Sequence, residues 1–125
     1  MALDTPTHNQ LLGRRGEEIA ARHLRELGHV VLDRNWRASR GRGELDLVTL
    51  LGDGVVAVEV KTRSSLEFGH PFEAVRPAKL ERLYRLGWEW CETHRMRGRL
   101  ARVDLVAILL PATGEPVIEH LEGVR

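Results

Sequence analysis

At 125 residues the chain has room for one domain with one core and little more. Hydrophobic residues make up 42% of it and charged residues 30%, both ordinary for a globular protein, and the formal net charge of +1 does not by itself announce a nucleic-acid binder. Cys91 is the only cysteine, which excludes an internal disulfide and a thiolate metal cluster within one chain.

Residues 1–8 read as a frayed tail. Met1-Ala2-Leu3-Asp4 carries an acid and no apolar run, so it is no secretory signal, and the longest apolar stretch, 105–110, is too short to span a bilayer. The expected location is the cytoplasm. A helix is predicted over 9–27, with Asn9 as N-cap, Gly28 as the stop, and an apolar stripe of Leu12, Ile19, Ala20, Leu24 and Leu27. A strand at 29–36 leads into a basic loop, Arg37-Ala38-Ser39-Arg40-Gly41-Arg42-Gly43. Two strands then form a hairpin over 44–62, with Asp53-Gly54 as its turn. Residues 63–75 look irregular. A second helix starts at Pro77, a favoured first-turn position for proline, and runs to about 94. Leu80, Leu83, Tyr84, Gly87, Cys91 and His94 fall on one of its faces. Strands at 100–110 and 117–121 complete an α-β-β-β-α-β-β order. The expected fold is α/β, one mixed sheet flanked by helices, forming a single domain over 9–125.

The chemistry concentrates in the hairpin. Glu59-Val60-Lys61 closes an apolar strand and puts a carboxylate and an ammonium on one face. Asp46 stands alone among Leu45, Leu47 and Val48 on the preceding strand. A two-residue loop at Asp53-Gly54 sets Asp46 opposite Lys61 and Glu59 one diagonal step away, whereas an odd-numbered loop sends Asp46 to the other face. Burying these charges is costly without partners. Hydrolysis of a phosphodiester by a divalent metal calls for this set: hard oxygen ligands from Asp46 and Glu59, a third from the Val60 carbonyl, and a cation, Lys61, for the attacking water or the developing charge. The plain alternative is an exposed salt bridge of Asp46 or Glu59 with Lys61. Glu17 leans to the buried side of the first helix, while Glu18 belongs to its wet side. Glu17 is either a further site acid or a boundary carboxylate paired with arginine.

In combination, Gly16-Glu17 with Ala20 and Leu24, Asn35-Trp36-Arg37, Gly43-Glu44-Leu45-Asp46-Leu47, Val58-Glu59-Val60-Lys61-Thr62-Arg63, Phe68-Gly69, Lys79 and Arg102-Val103-Asp104 resemble the YraN family. That family sits in the restriction-endonuclease-like PD-(D/E)xK superfamily, near the Holliday-junction resolvases. The resemblance runs from about residue 13 to the last strand. It implies an αβββαβ core, dependence on Mg²⁺ or Mn²⁺, and DNA, branched DNA included, as substrate. Position by position it makes Glu17 the helix acid, Asp46 the metal aspartate, and Glu59 with Lys61 the E-x-K pair, with Arg63 and Lys79 as further basic positions. Cutting both strands of a duplex with one small domain would call for a homodimer. A rival expectation is a non-catalytic nucleic-acid-binding protein that keeps the fold.

Other residues are weighed against simpler roles. The basic residues are nearly all arginine; Lys61 and Lys79 are the only lysines. Arg34, Arg37, Arg40 and Arg42 surround the loop beside the site and suit phosphate contacts. Lys79, in the first helical turn, gains nothing from the helix dipole, which leaves a substrate-side role or plain solvation. Arg102 and Asp104 share a strand face and read as structural support. The six histidines show no metal-ligand spacing, and Cys91 with His94 is better explained by a helix face than by a nucleophile.

Overall fold

A computed structural model describes residues 5–39, 41, 43–67 and 69–125. Along the chain run α1 (His8–Glu26), β1 (Val30–Arg37), β2 (Glu44–Leu51), β3 (Gly54–Arg63), a 3-10 turn (Pro71–Ala74), α2 (Pro77–Thr93), β4 (Leu100–Leu109) and β5 (Val117–Leu121). The strands lie in sequence order in one sheet. All neighbouring pairs are antiparallel except β3 and β4, which are parallel. A parallel pair needs a long crossover, and α2 supplies it. The fold is therefore α/β, with the mixed sheet and flanking helices of a restriction-endonuclease-like core.

α1 begins earlier than expected. Its N-cap is Thr7 rather than Asn9: the Thr7 side chain accepts from the Gln10 amide, and the Gln10 side chain accepts from the Thr7 amide, a reciprocal capping box. The end is as expected. Gly28 takes a positive φ of 95°, its amide donates to the Arg25 carbonyl, and that of His29 donates to the Leu24 carbonyl. Leu27 does not join the core. It caps the helix and is 50% exposed, because the chain turns away there.

α1 covers one sheet face and α2 the other, giving two apolar clusters. Ala20, Ala21 and Leu24 pack on Val56, Val58, Val106 and Ile108. Leu83, Leu86, Trp90 and Cys91 pack on Val55, Ala57, Val103 and Leu105. Covered on both sides, β3 is buried without a break from Val55 to Val60, which accounts for its continuous apolar run. On α2 the inner stripe is rotated from the expected one. Leu86 and Trp90 are buried, and His94 is exposed.

Gly16 sets how closely α1 approaches the sheet. A Cβ there would lie 1.8 Å from Thr62 Oγ1 and 2.8 Å from Thr62 Cβ. Thr62 is β-branched and stiff, so helix or strand would have to shift. Gly16→Ala is expected to cost about 1–3 kcal/mol in urea unfolding, and Thr62→Ala is expected to return part of the loss when added to it.

Candidate active site

The hairpin turn lies one residue earlier than predicted. Leu51 pairs with Gly54, so the loop residues are Gly52 and Asp53. Gly52 takes a positive φ of 60° at the first central position, as a II′ turn requires, and this displaces the Asp-Gly placement. The loop still has two residues, so Asp46 and Glu59 keep the face expected of them. Their partners change. Counting on from Leu47 opposite Val58 would bring Asp46 to Glu59 and not to Lys61, and the ladder ends at that point.

β2 and β3 part at Asp46. Leu47 belongs to the α1-side cluster and Leu45 to the α2-side cluster, although residues two apart on a regular strand share a face. The strand is therefore irregular between them, and the Asp46 carboxylate fills the gap. Its Oδ2 accepts from the Val60 amide at 2.8 Å in place of a backbone carbonyl. The N–H and C=O of one strand residue point to the same edge, so the Val60 carbonyl also faces this fork. A cavity of about 270 Å³ opens there, lined by Glu44, Asp46, Glu59, Val60, Lys61, Lys79 and Arg82 among others. A larger groove of about 390 Å³ under α2, lined by Val75, Pro77, Leu80, Tyr84 and Val124 with Arg76, Glu81 and Arg125, brings no two acidic side chains together.

Asp46 and Glu59 are buried, at 7% and 6% exposure. Burial, then the charge of Glu59, pushes the Asp46 carboxyl up to about 7, against the Val60 hydrogen bond, which favours its ionised form. Glu59 Oε1 meets two ammoniums, Lys79 Nζ at 3.1 Å and Lys61 Nζ at 3.3 Å. Burial and the neighbouring Lys79 hold Lys61 below the usual lysine range. Glu17 is half-buried and lines an adjoining depression of about 560 Å³ with Val60, Lys61, Thr62 and Arg63. Burial raises its pKa, a hydrogen bond from Asn35 opposes the rise, and Glu44 and Glu59 add to it.

The expected basic residues separate. Arg37 pairs with Glu44 at 3.3 Å and stays largely exposed. Arg63 lines the same depression as Glu17, its Nη1 donating to the Thr62 carbonyl at 3.4 Å. Lys79 is held inside the site by Glu59. Arg40 and Arg42 lie outside the described residues.

Among the described residues, no three or more His, Cys, Asp and Glu side chains come together closely enough to hold an ion. Asp46, Glu59 and the carbonyl facing them form a two-carboxylate oxygen set. That suits Mg²⁺, which is commonly bound through one or two carboxylates and keeps several waters. The residues present thus fit a hard divalent ion of this kind.

A second polar cluster, unmarked by any spacing, lies on the α1 side. Asp104 is fully buried. It accepts from Arg102 Nε at 2.9 Å, from the Gly123 amide at 3.0 Å and from His120 Nε2 at 2.8 Å. His120 Nδ1 lies 3.1 Å from His23 Nε2, and His29 Nδ1 lies 2.7 Å from Thr49 Oγ1. Arg102 and Asp104, expected as structural support on one strand face, pair with each other, and three distant histidines gather around them.

The family model described as "Uncharacterised protein family UPF0102" matches residues 16–108. A UPF0102 protein of Arthrobacter sp. (strain FB24) is 56% identical over 114 residues, covering 91% of this chain and 95% of that protein. One from Pseudarthrobacter chlorophenolicus is 54% identical, covering 91% of this chain and 85% of its own length. One from Streptomyces coelicolor is 50% identical, covering 90% and 87%. No described helix is long and apolar enough to cross a membrane.

Proposed function

The chain belongs to the UPF0102 (YraN) family, and from its site we propose a DNA endonuclease that hydrolyses phosphodiester bonds with Mg²⁺ or Mn²⁺. One observation carries this reading: two buried carboxylates from adjacent strands line one cavity where the strands part, with the half-buried Lys61 paired to one of them, Glu59. Asp46, Glu59 and the Val60 carbonyl would hold the ion, with Glu17 assisting from the α1 side. Bound there, such an ion polarises a phosphate and lowers the pKa of a water.

The protein's own groups supply the rest. Lys61, its pKa already depressed by burial, donates to the attacking water or to the charge that builds on the phosphate. Asp46, its carboxyl pushed up to about 7, must give up its proton to take the ion, and with Oδ2 engaged by the Val60 amide its Oδ1 is the oxygen left to do so. Arg63 and Arg37 neutralise flanking phosphates, with Arg40 and Arg42 the further arginines that the sequence offers, and Lys79 joins them from α2. A second copy would serve the opposite strand of a duplex.

The test is a cleavage assay with Mg²⁺ or Mn²⁺ on linear, flapped and four-way-branched DNA. Asp46→Ala and Lys61→Ala are expected to lower the rate by at least about 100-fold each. Cleavage that survives both substitutions ends the proposal. A second reading, a DNA-binding protein without turnover, draws on the two ammoniums already neutralising Glu59 and on the lack, among the described residues, of a third acid close enough to share an ion with Asp46 and Glu59. Salt-dependent DNA binding without cleavage, unchanged by Asp46→Ala, would favour it.

A further inference from the structure

Resting on the metal site just described, we propose that Lys79 is its resident counter-cation. The Lys79 ammonium neutralises Glu59 while no divalent ion is bound, competes with that ion for the carboxylate, and is released toward substrate phosphate when the ion binds. Both lysines sit on the same oxygen of Glu59, Lys79 at 3.1 Å and Lys61 at 3.3 Å. Two ammoniums on one carboxylate oxygen repel each other there, and among the described residues the ionised Asp46 nearby is the only other anion acting on Lys79 that offsets them. Lys79 is in the first turn of α2, where the helix dipole disfavours a cation. Glu59, from another element, is what holds it there.

The two lysines are not equivalent. Lys61 is tied to Glu59 by the strand, two residues along on the same face. Lys79 reaches in from the helix, and its side chain is the more exposed of the two, at 32% against 25%. An ion on Asp46 and Glu59 would leave excess positive charge in the pocket with both lysines in place. The ammonium free to leave is the one on the rim. Once off Glu59, Lys79 stands at the mouth beside Arg82, where the nearest anion to arrive is a DNA phosphate. Ion binding would thereby prepare the surface for substrate.

Calorimetric titration of Mn²⁺ into the full chain at pH 8, without DNA, tests this. An internal competitor lowers apparent affinity by the fraction of time it occupies the site. Lys79→Met is therefore expected to bind Mn²⁺ on the order of tenfold more tightly than wild type. In Ca²⁺, its DNA binding is expected to weaken, with a salt slope smaller by about 1. Equal or weaker Mn²⁺ binding by Lys79→Met overturns the role given to Lys79 and leaves the metal site standing. Absence of Mn²⁺ binding in wild type and variant alike overturns both. Circular dichroism verifies the fold, and Lys79→Gln replaces the methionine variant if that one does not fold.

Discussion

Asp46→Asn is expected to abolish cleavage and, at pH 8 without metal, to raise the melting temperature by roughly 10 °C or more. The folded Asp46 carboxyl titrates near 7, against 3.8 ordinarily. A raised acid binds its proton more tightly folded than unfolded, so stability is lost as pH rises from about 4 to about 7. Above that window the cost of holding the charge is on the order of 4 kcal/mol, at 1.36 kcal/mol per pH unit. Asparagine carries no such charge, and its carbonyl can still accept from the Val60 amide. Near pH 4 the two proteins should melt together, and at pH 8 saturating Mn²⁺ should stabilise wild type and not the variant. A variant melting at or below wild type at pH 8 would refute this electrostatic picture of the site.

Asp104→Ala is expected to destabilise the fold by about 3–5 kcal/mol in urea unfolding, the usual consequence of removing one partner from a buried charged network. The loss strands the Arg102 guanidinium, the His120 ring and the Gly123 amide together. The surrounding histidines add a pH dependence of known sign. Burial first, then the neighbouring His120, holds His23 below its ordinary 6.5, and burial is likewise the chief cause for His29. A histidine depressed in the folded state contributes stability above 6.5 that is lost as pH falls through its folded value. Asp46 and the raised Glu17 slope the opposite way, so the clean measurement uses an Asp46→Asn, Glu17→Gln background. There the urea midpoint should fall steadily below pH 6.5, and a flat midpoint from pH 7 to 5 would contradict the assignment.

What the sequence made legible follows from which signals are local. Hydrophobic periodicity and end signals located both described α-helices and the five strands, while the 3-10 turn at Pro71–Ala74 falls in a segment expected to be irregular, and Gly28 ends α1 as expected. The Asp46–Glu59 face survived a misplaced turn because moving a two-residue loop by one position changes the register by two and preserves parity. The direct partner did not survive, since it depends on where the ladder stops. Thr7 with Gln10 three residues later is itself a capping-box signal, and it prevails over Asn9. Lys79 on Glu59 and the histidines around Asp104 were not readable. Each joins elements distant in the chain, and only the docking of α2 and α1 on the two sheet faces brings them together. Leu27 shows the opposite failure, a periodic apolar position beyond the point where the helix stops.

A crystal of the full chain soaked in Mn²⁺ and measured at the manganese absorption edge probes most directly whether Asp46 and Glu59 share an ion. The expected result is one anomalous peak in contact with both carboxylates and the Val60 carbonyl, with Lys79 Nζ moved away from Glu59. An empty fork at saturating Mn²⁺, with manganese only at surface acids, would contradict the account.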